Sequence, residues 1–442
     1  MKKHVIINSI VVTMNGDRDI LPDGYVAMED DRIRHVGTME DYRSRDWTGY
    51  TVIDGRRGIL MPGMVNLHAH LGMVAFRGLG DDCKDRLRVF LLPMEQQAMS
   101  GDMVYHSTRY GAAELLLSGV TTVLDMYYFT EQAARAMEDS GIRGFAGQTL
   151  MDAPTCDFAN PADAMAYGRD LMDRWNRPGR RVQVYLAPHA TNTCSAEVLR
   201  QAHAIDQNAA MPFSLHTAEM DYEMTYFRET YGQTPVEYLD ALGVLDRRTI
   251  LAHAIRVSEA DLDRMAVAGA SVAHCIASNT KAAKGVAPVM AMLERGIHVG
   301  FGTDGPASGN TLDLLTQMRF CANFQKNESH DRSAMPAAAI VEMATVGAAH
   351  ALGLENVIGS LEPGKKADCV LLETDSFNMY PVYDPYSTLV YSAQAGNVRH
   401  VFVDGQWLVR ERQMTGAGAG ELRANLREVV QCSAFSTMHP LT

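Results

Sequence analysis

His68 and His70 stand one residue apart at the end of an apolar run, residues 59–67, in Met61-Pro62-Gly63-Met64-Val65-Asn66-Leu67-His68-Ala69-His70. In a β-strand the side chains alternate between faces, so both imidazoles point the same way. Two neighbouring imidazoles suit a divalent transition metal such as zinc. Alone, the pattern is equally a strand that happens to carry two histidines, and ligands at other strand ends decide between the two. The chain supplies them. His189 follows the run 182–187, His216-Thr217-Ala218-Glu219 the run 212–215, and His253 the run 249–252. His274 follows 270–273, and Thr303-Asp304-Gly305 follows 297–302. Six of the chain's 15 histidines and an aspartate therefore fall at the ends of short apolar runs, a concentration that chance does not produce.

Something must bring these run ends together. Between residues 58 and 358 the short apolar runs, which also include 120–126 and 142–150, alternate with longer segments. Several of those segments, such as 103–118 and 196–208, carry apolar residues at helical three- and four-residue spacing. The alternation predicts an α/β chain folded as a (β/α)₈ TIM-type barrel, which gathers its strand ends, and its chemistry, on one face. The rival is an open doubly wound sheet, but no Gly-x-Gly-x-x-Gly turn follows the first run. Residues 1–57 and 359–442 are expected to form a small β-sandwich domain from both chain ends. Residues 24–29 and 32–36 flank the turn pair Asp30-Asp31, and 400–403 and 407–409 flank the hairpin-type pair Asp404-Gly405.

Composition sets outer bounds. At 442 residues the chain exceeds what one core usually serves, which fits a large domain beside a smaller one. A hydrophobic content of 47% and a charged content of 21% are those of an ordinary globular protein. The net charge of -13 argues against a nucleic-acid partner, since no basic stripe is available to neutralise phosphates. The seven cysteines are scattered, odd in number and without a Cys-x-x-Cys, which points to a reducing cytoplasm. The N-terminal run is short, is broken by Asn8 and lacks a small-residue cleavage site, so it reads as a first strand. No run approaches membrane-spanning length, and no membrane partner is expected.

The motifs around these residues resemble the amidohydrolase superfamily, in the branch of adenosine-type, S-adenosylhomocysteine and guanine deaminases and s-triazine chlorohydrolases. The resemblance rests on the stretch 62–70, His216-Thr217-Ala218-Glu219, Ala252-His253, His274-Cys275-Ile276-Ala277-Ser278-Asn279-Thr280-Lys281 and Gly302-Thr303-Asp304-Gly305-Pro306-Ala307-Ser308. It extends to Pro363-Gly364-Lys365-Lys366-Ala367-Asp368 near the C-terminal end. It implies that His68, His70, His216 and Asp304 bind one divalent metal, Zn²⁺ or alternatively Fe²⁺. Three imidazoles and a carboxylate suit zinc and leave a place for water, whose pKa such a metal lowers to about 7. Relatives with two metals bridge them by a modified lysine after the fourth strand; here Leu186-Ala187-Pro188-His189 offers none.

The same resemblance casts Asp304 as base toward the water, His253 as the group that orients it, and Glu219 as general acid/base toward a ring nitrogen. It makes Glu95, in Leu92-Pro93-Met94-Glu95, a ribose contact and His189 a contact to the heterocycle, with His274 a further candidate. Gln148 stands where S-adenosylhomocysteine deaminases carry an arginine for the substrate carboxylate. A glutamine cannot form that charged bidentate pair, which disfavours a homocysteine tail. The expected activity is hydrolytic deamination of an amino-substituted heterocycle: a neutral nucleoside such as 5′-methylthioadenosine or 5′-deoxyadenosine, or a free purine, pterin or triazine. Displacement of chloride or alkylamine from an s-triazine is the alternative within the fold. A non-catalytic scaffold fits poorly with a complete ligand set. Relatives of this kind are often homo-oligomers.

Overall fold

A computed structural model describes residues 2–433. Five strands come first: β1 (Lys3–Val12), β2 (Ile20–Glu29), β3 (Arg32–Thr38), β4 (Thr51–Asp54) and β5 (Ile59–Pro62). Eight more alternate with helices: β6 (Met64–Ala69), β7 (Val120–Tyr127), β8 (Arg143–Leu150), β9 (Val182–Pro188), β10 (Phe213–Thr217), β11 (Thr249–His253), β12 (Ser271–His274) and β13 (Val299–Phe301). The last four are β14 (Cys369–Leu372), β15 (Val398–Val403), β16 (Gln406–Arg410) and β17 (Gln413–Met414).

Both chain ends enter one sheet, in the order β17-β16-β15-β14-β5-β1-β2-β3 with β4 also on β1. The expected hairpins are there. Glu29 pairs with Arg32 across Asp30-Asp31, and Val403 with Gln406 across Asp404-Gly405. Asp404 and Gly405 have φ of 48° and 66°, the left-handed pair that a type I′ turn requires. A Cβ on Gly405 would lie 1.8 Å from the Asp30 carbonyl oxygen, so only glycine closes this turn. Ile6, Val26, Leu60, Leu371 and Phe402 share one apolar core on this sheet.

The run 59–67, read from sequence as one strand, is two. β5 pairs antiparallel with β14 and parallel with β1, and the chain enters β6 only after Gly63. Every residue from Ile59 to Ala69 is buried, so no alternation marks the change of sheet. Gly63 is the pivot: a Cβ there would stand 2.1 Å from Thr121 Oγ1.

β6-β7-β8-β9 and β10-β11-β12-β13 form two four-stranded sheets. Ala190 bridges His216 in parallel at one seam, and Ala69 bridges Asp304 at the other. The Asp304 amide donates to the His68 carbonyl at 3.0 Å and the His216 amide to the His189 carbonyl at 3.0 Å, which closes the eight strands into a TIM-type barrel. Two compact units divide the described chain: residues 2–66, 114–122 and 313–416, and residues 67–113, 123–312 and 417–433. All strand ends carrying candidate chemistry belong to the second. So does the helix Ala419–Cys432, whose Leu426 and Val430 pack with Met99, Met103 and Tyr127. No helix among the described residues is long and apolar enough to cross a membrane.

Candidate active site and metal centre

The end of β6 and the turn after it bring His68 and His70 to the barrel mouth, with ring centroids 4.7 Å apart. His216, from β10, lies 4.7 Å from His68 and 5.3 Å from His70. One ring nitrogen from each of the three falls within 4.8 Å of the others. The remaining nitrogens of two rings are committed: His70 Nδ1 donates to the Met126 carbonyl at 2.6 Å, and His216 Nδ1 to the His189 carbonyl. Such bonds fix the tautomer and turn the Nε2 lone pairs inward. His70 Nε2 and His216 Nε2 are then 3.3 Å apart, and Asp304 Oδ1 is 3.3 Å from His70 Nε2.

Lone pairs and a carboxylate converging at these distances repel unless a cation sits among them. The charges report the same need. Burial holds His68 and His216 as neutral imidazoles, well below the ordinary range, helped by the neighbouring histidines. Burial also works against a charge on His70, but the Asp304 carboxylate overcomes it and raises the pKa to about 9. A divalent cation answers that carboxylate as a proton does. Three imidazoles and a carboxylate are a donor set that zinc accepts, so the residues present fit a metal. Cys275 meets the same distance criterion with His68 and His253, but burial keeps its thiol far from the thiolate that metals bind.

Beside this cluster, His253 ends β11 fully buried, its ring 5.4 Å from His216 and nearly parallel to it. Its Nδ1 donates to Asn279 Oδ1 at 2.8 Å, and its Nε2 faces Glu219, 3.5 Å away. Glu219 is set by the turn after β10. Ala218 takes a left-handed φ of 52°, and the Glu223 carboxylate accepts the Ala218 and Glu219 amides at 2.9 and 2.8 Å. Burial alone would raise the Glu219 carboxyl; His253 and the Lys284 ammonium, which bonds Oε1, bring it down to about 2. Ala254 (45°), His253 (73°) and Asp304 (59°) share the left-handed conformation. Such strain in non-glycine residues collects where function over-determines the backbone.

A cavity of about 490 Å³ opens over the cluster, a size at which small ligands are mostly enclosed. His70, Glu95, His189, His216, Glu219, His253 and Asp304 line it, with His68 in the cluster beneath. His189 rests on Thr193 Oγ1 at 3.0 Å, and burial lowers its pKa to about 4. Glu95 is 2% exposed, receives the Tyr127 hydroxyl at 2.6 Å and is raised by burial to about 7. Two expected contacts lie elsewhere. Gln148 is fully buried and bonded to Thr130 and Asp157, because its position on β8 turns it away from the cavity. His274 is fully buried near Phe301 and does not reach the lining either. Lys284, Tyr127, Asn279 and Glu223 were not found from sequence. Glu223, four residues after Glu219 at a helix start, carried a usable signal; the others did not.

Comparison with known proteins gives this arrangement its place. The amidohydrolase family profile matches residues 59–408. A 5-methylthioadenosine/S-adenosylhomocysteine deaminase of Syntrophus aciditrophicus is 34% identical over 99% of both chains. A deaminase of that name from Nitratidesulfovibrio vulgaris is 37% identical over 95% of both. Among solved structures, an adenosine deaminase of Xanthomonas campestris with bound zinc superposes with a TM-score of 0.94, at 31% identity over 98% of both chains. Atrazine chlorohydrolase from Arthrobacter aurescens, complexed with zinc, gives 0.87 at 26% identity, over 97% of this chain and all of that one. The chain belongs to the amidohydrolase family. It is a metal-dependent hydrolase of carbon–nitrogen bonds in cyclic amidines.

Proposed function

We propose that this protein deaminates a neutral adenosine-type nucleoside, with 5′-methylthioadenosine the leading substrate, and that one Zn²⁺ held by His68, His70, His216 and Asp304 serves the reaction. The observation that carries this reading is the joining of two chemistries in one cavity. The His/Asp cluster lies with Glu219 and His253, and Glu95 lies in the same lining as a carboxylate suited to a pair of ribose hydroxyls. The full-length similarity to 5-methylthioadenosine/S-adenosylhomocysteine deaminases supports the nucleoside.

When bound, the metal supplies Lewis-acid activation of the attacking water. The protein moves the protons. Asp304 takes one from the water. Glu219, which begins as a carboxylate, takes the water's other proton and gives it to the ring nitrogen beside the attacked carbon. The proton on Asp304 then passes to the amine, which departs as ammonia as the C–N bond breaks and the C=O bond forms. His253, held by Asn279, orients the water. His189 contacts the ring.

Four of the five lysines and arginines around the cavity favour a neutral 5′ group. Arg86 serves the Leu79 and Ala307 carbonyls, Arg88 pairs with Asp85 at 3.0 Å, Lys281 with Asp81 at 2.8 Å, and Lys284 with Glu219. Each of these four already answers an acceptor; of the cations in the lining, Lys84, which is exposed, is left without one among the described residues. The test is ammonia release from 5′-methylthioadenosine, 5′-deoxyadenosine, adenosine, S-adenosylhomocysteine, guanine and melamine, with chloride release from atrazine run alongside and metal measured on the same sample. The expected order puts 5′-methylthioadenosine first. Chloride release without ammonia, or S-adenosylhomocysteine well ahead of the neutral nucleosides, overturns the reading.

A further inference from the structure

We propose that Lys284 is a positioning residue for the Glu219 carboxylate, clamping Oε1 so that Oε2 faces the substrate. The inference rests on the reading of Glu219 as the proton-transfer group. Lys284 Nζ bonds Glu219 Oε1, and His253 Nε2 is 3.5 Å from the same oxygen. Oε2 has no polar partner among the described residues, and Glu219 lines the cavity. A carboxylate held by one oxygen alone keeps the other for a ring nitrogen.

The backbone is arranged to aim this lysine. After the helix Ile276–Lys281 the chain turns through Ala283, at φ 55°, and Gly285, at φ 114°. The Lys284 amide donates to the Asn279 carbonyl at 2.9 Å. Asn279 also holds His253 through its side chain. One turn therefore supports both groups that touch Oε1. The side chains of Lys284 and Glu219 are only 17% and 14% exposed. Pairing so far from solvent is not the loose contact of a surface lysine, and removing one partner leaves the other charge uncompensated.

Seven ionisable groups surround the carboxylate: His189, His216 and His253 at strand ends, Cys275 after β12, Lys284 from the turn, and Tyr222 and Glu223 from the helix Asp221–Tyr231. Among them Lys284 brings the fixed positive charge. With it gone, the carboxylate has lost a rotational restraint and one of the two groups, beside His253, that keep it ionised.

The experiment compares Lys284→Met, Lys284→Arg and Glu219→Gln in the metal-loaded enzyme acting on its best nucleoside, with metal content measured for each. Lys284→Met is expected to lower kcat about 10–10²-fold, part of what a general acid/base supplies, with KM nearly unchanged. It is also expected to move the acid limb of the kcat profile, which Glu95 leaves little changed, to higher pH. Lys284→Arg should recover most of the rate and return the limb. A smaller folded fraction lowers the rate equally at every pH and leaves the limb in place, so the limb separates positioning from a fold defect. A limb unmoved in Lys284→Met while Glu219→Gln is inactive overturns the proposal and leaves the reading of Glu219 standing. A raised KM at unchanged kcat overturns it in favour of direct substrate contact. An active Glu219→Gln overturns the reading of Glu219 and this inference with it.

Discussion

Glu95 shows how far burial alone can set what a residue does. The carboxyl is raised from an ordinary 4.5 to about 7 because little water reaches it, and the Tyr127 hydroxyl only partly offsets that. The folded protein therefore keeps this proton between about pH 4.5 and 7, where the unfolded chain has lost it. Its contribution to stability is full below the lower value and is lost as the pH rises through the upper one. Binding runs the other way, since an ionised carboxylate accepts two ribose hydroxyls and a protonated one does so less well. KM for a nucleoside is thus expected to fall as the pH rises through 7. In Glu95→Gln that dependence should vanish and KM should rise about 10-fold or more, the worth of hydrogen bonds to a charged group, with kcat little changed. Steady-state kinetics from pH 5.5 to 8.5 tests this, and a KM that is flat with pH in the natural protein contradicts it. The candidate ligands could be read from sequence because imidazole and carboxylate at strand ends have few other uses. Lys284 could not: in Ala282-Ala283-Lys284-Gly285 it has the look of a solvated loop lysine, and only the left-handed Ala283 turns it inward. Gln148 failed for the reciprocal reason, since the motif gives its place on β8 but not the face it occupies.

At the scale of elements, most of the barrel was legible because short apolar runs and amphipathic helices differ in period. The helix expected over 196–208 has those bounds, and β7 to β12 fall within a residue or two of their runs. The split at Gly63 was not legible, because strands buried on both faces carry no alternation to interrupt. What the elements deliver is the backbone on which the ligands hang, and Gly302 tests this. It follows β13, where a Cβ would lie 2.7 Å from Cys275 Sγ, 2.8 Å from His68 Cβ and 3.1 Å from the His68 carbonyl. That carbonyl receives the Asp304 amide. Gly302→Ala should push on two of the proposed ligands together, costing about 1–3 kcal/mol of stability as overpacking does and lowering bound metal. Denaturant unfolding with elemental analysis measures both. A variant with full metal and unchanged stability would show that the two strand ends are not held to each other as tightly as the geometry says.

At the scale of the whole barrel, the proposed ligands are shared between its two halves. His68 and His70 extend from the sheet β6-β7-β8-β9, while His216 lies in the sheet β10-β11-β12-β13 and Asp304 follows its last strand. Each seam between these sheets is joined by an isolated bridge, at Ala69 with Asp304 and at Ala190 with His216, and both lie beside ligands. A cation bound to all four residues is therefore a cross-link between halves as well as a reagent. Because it binds the folded chain and not the unfolded one, it stabilises by RT ln(1 + [M]/Kd), about 4 kcal/mol at a thousandfold excess over Kd. Stripping the metal with a chelator should lower Tm by several degrees, and restoring zinc should raise it again. His216→Ala removes the ligand from one half, so its Tm should already be low and should respond little to chelator or zinc. Equal melting of loaded and stripped natural protein would mean that the seams hold without the cation, and that the four residues serve chemistry alone.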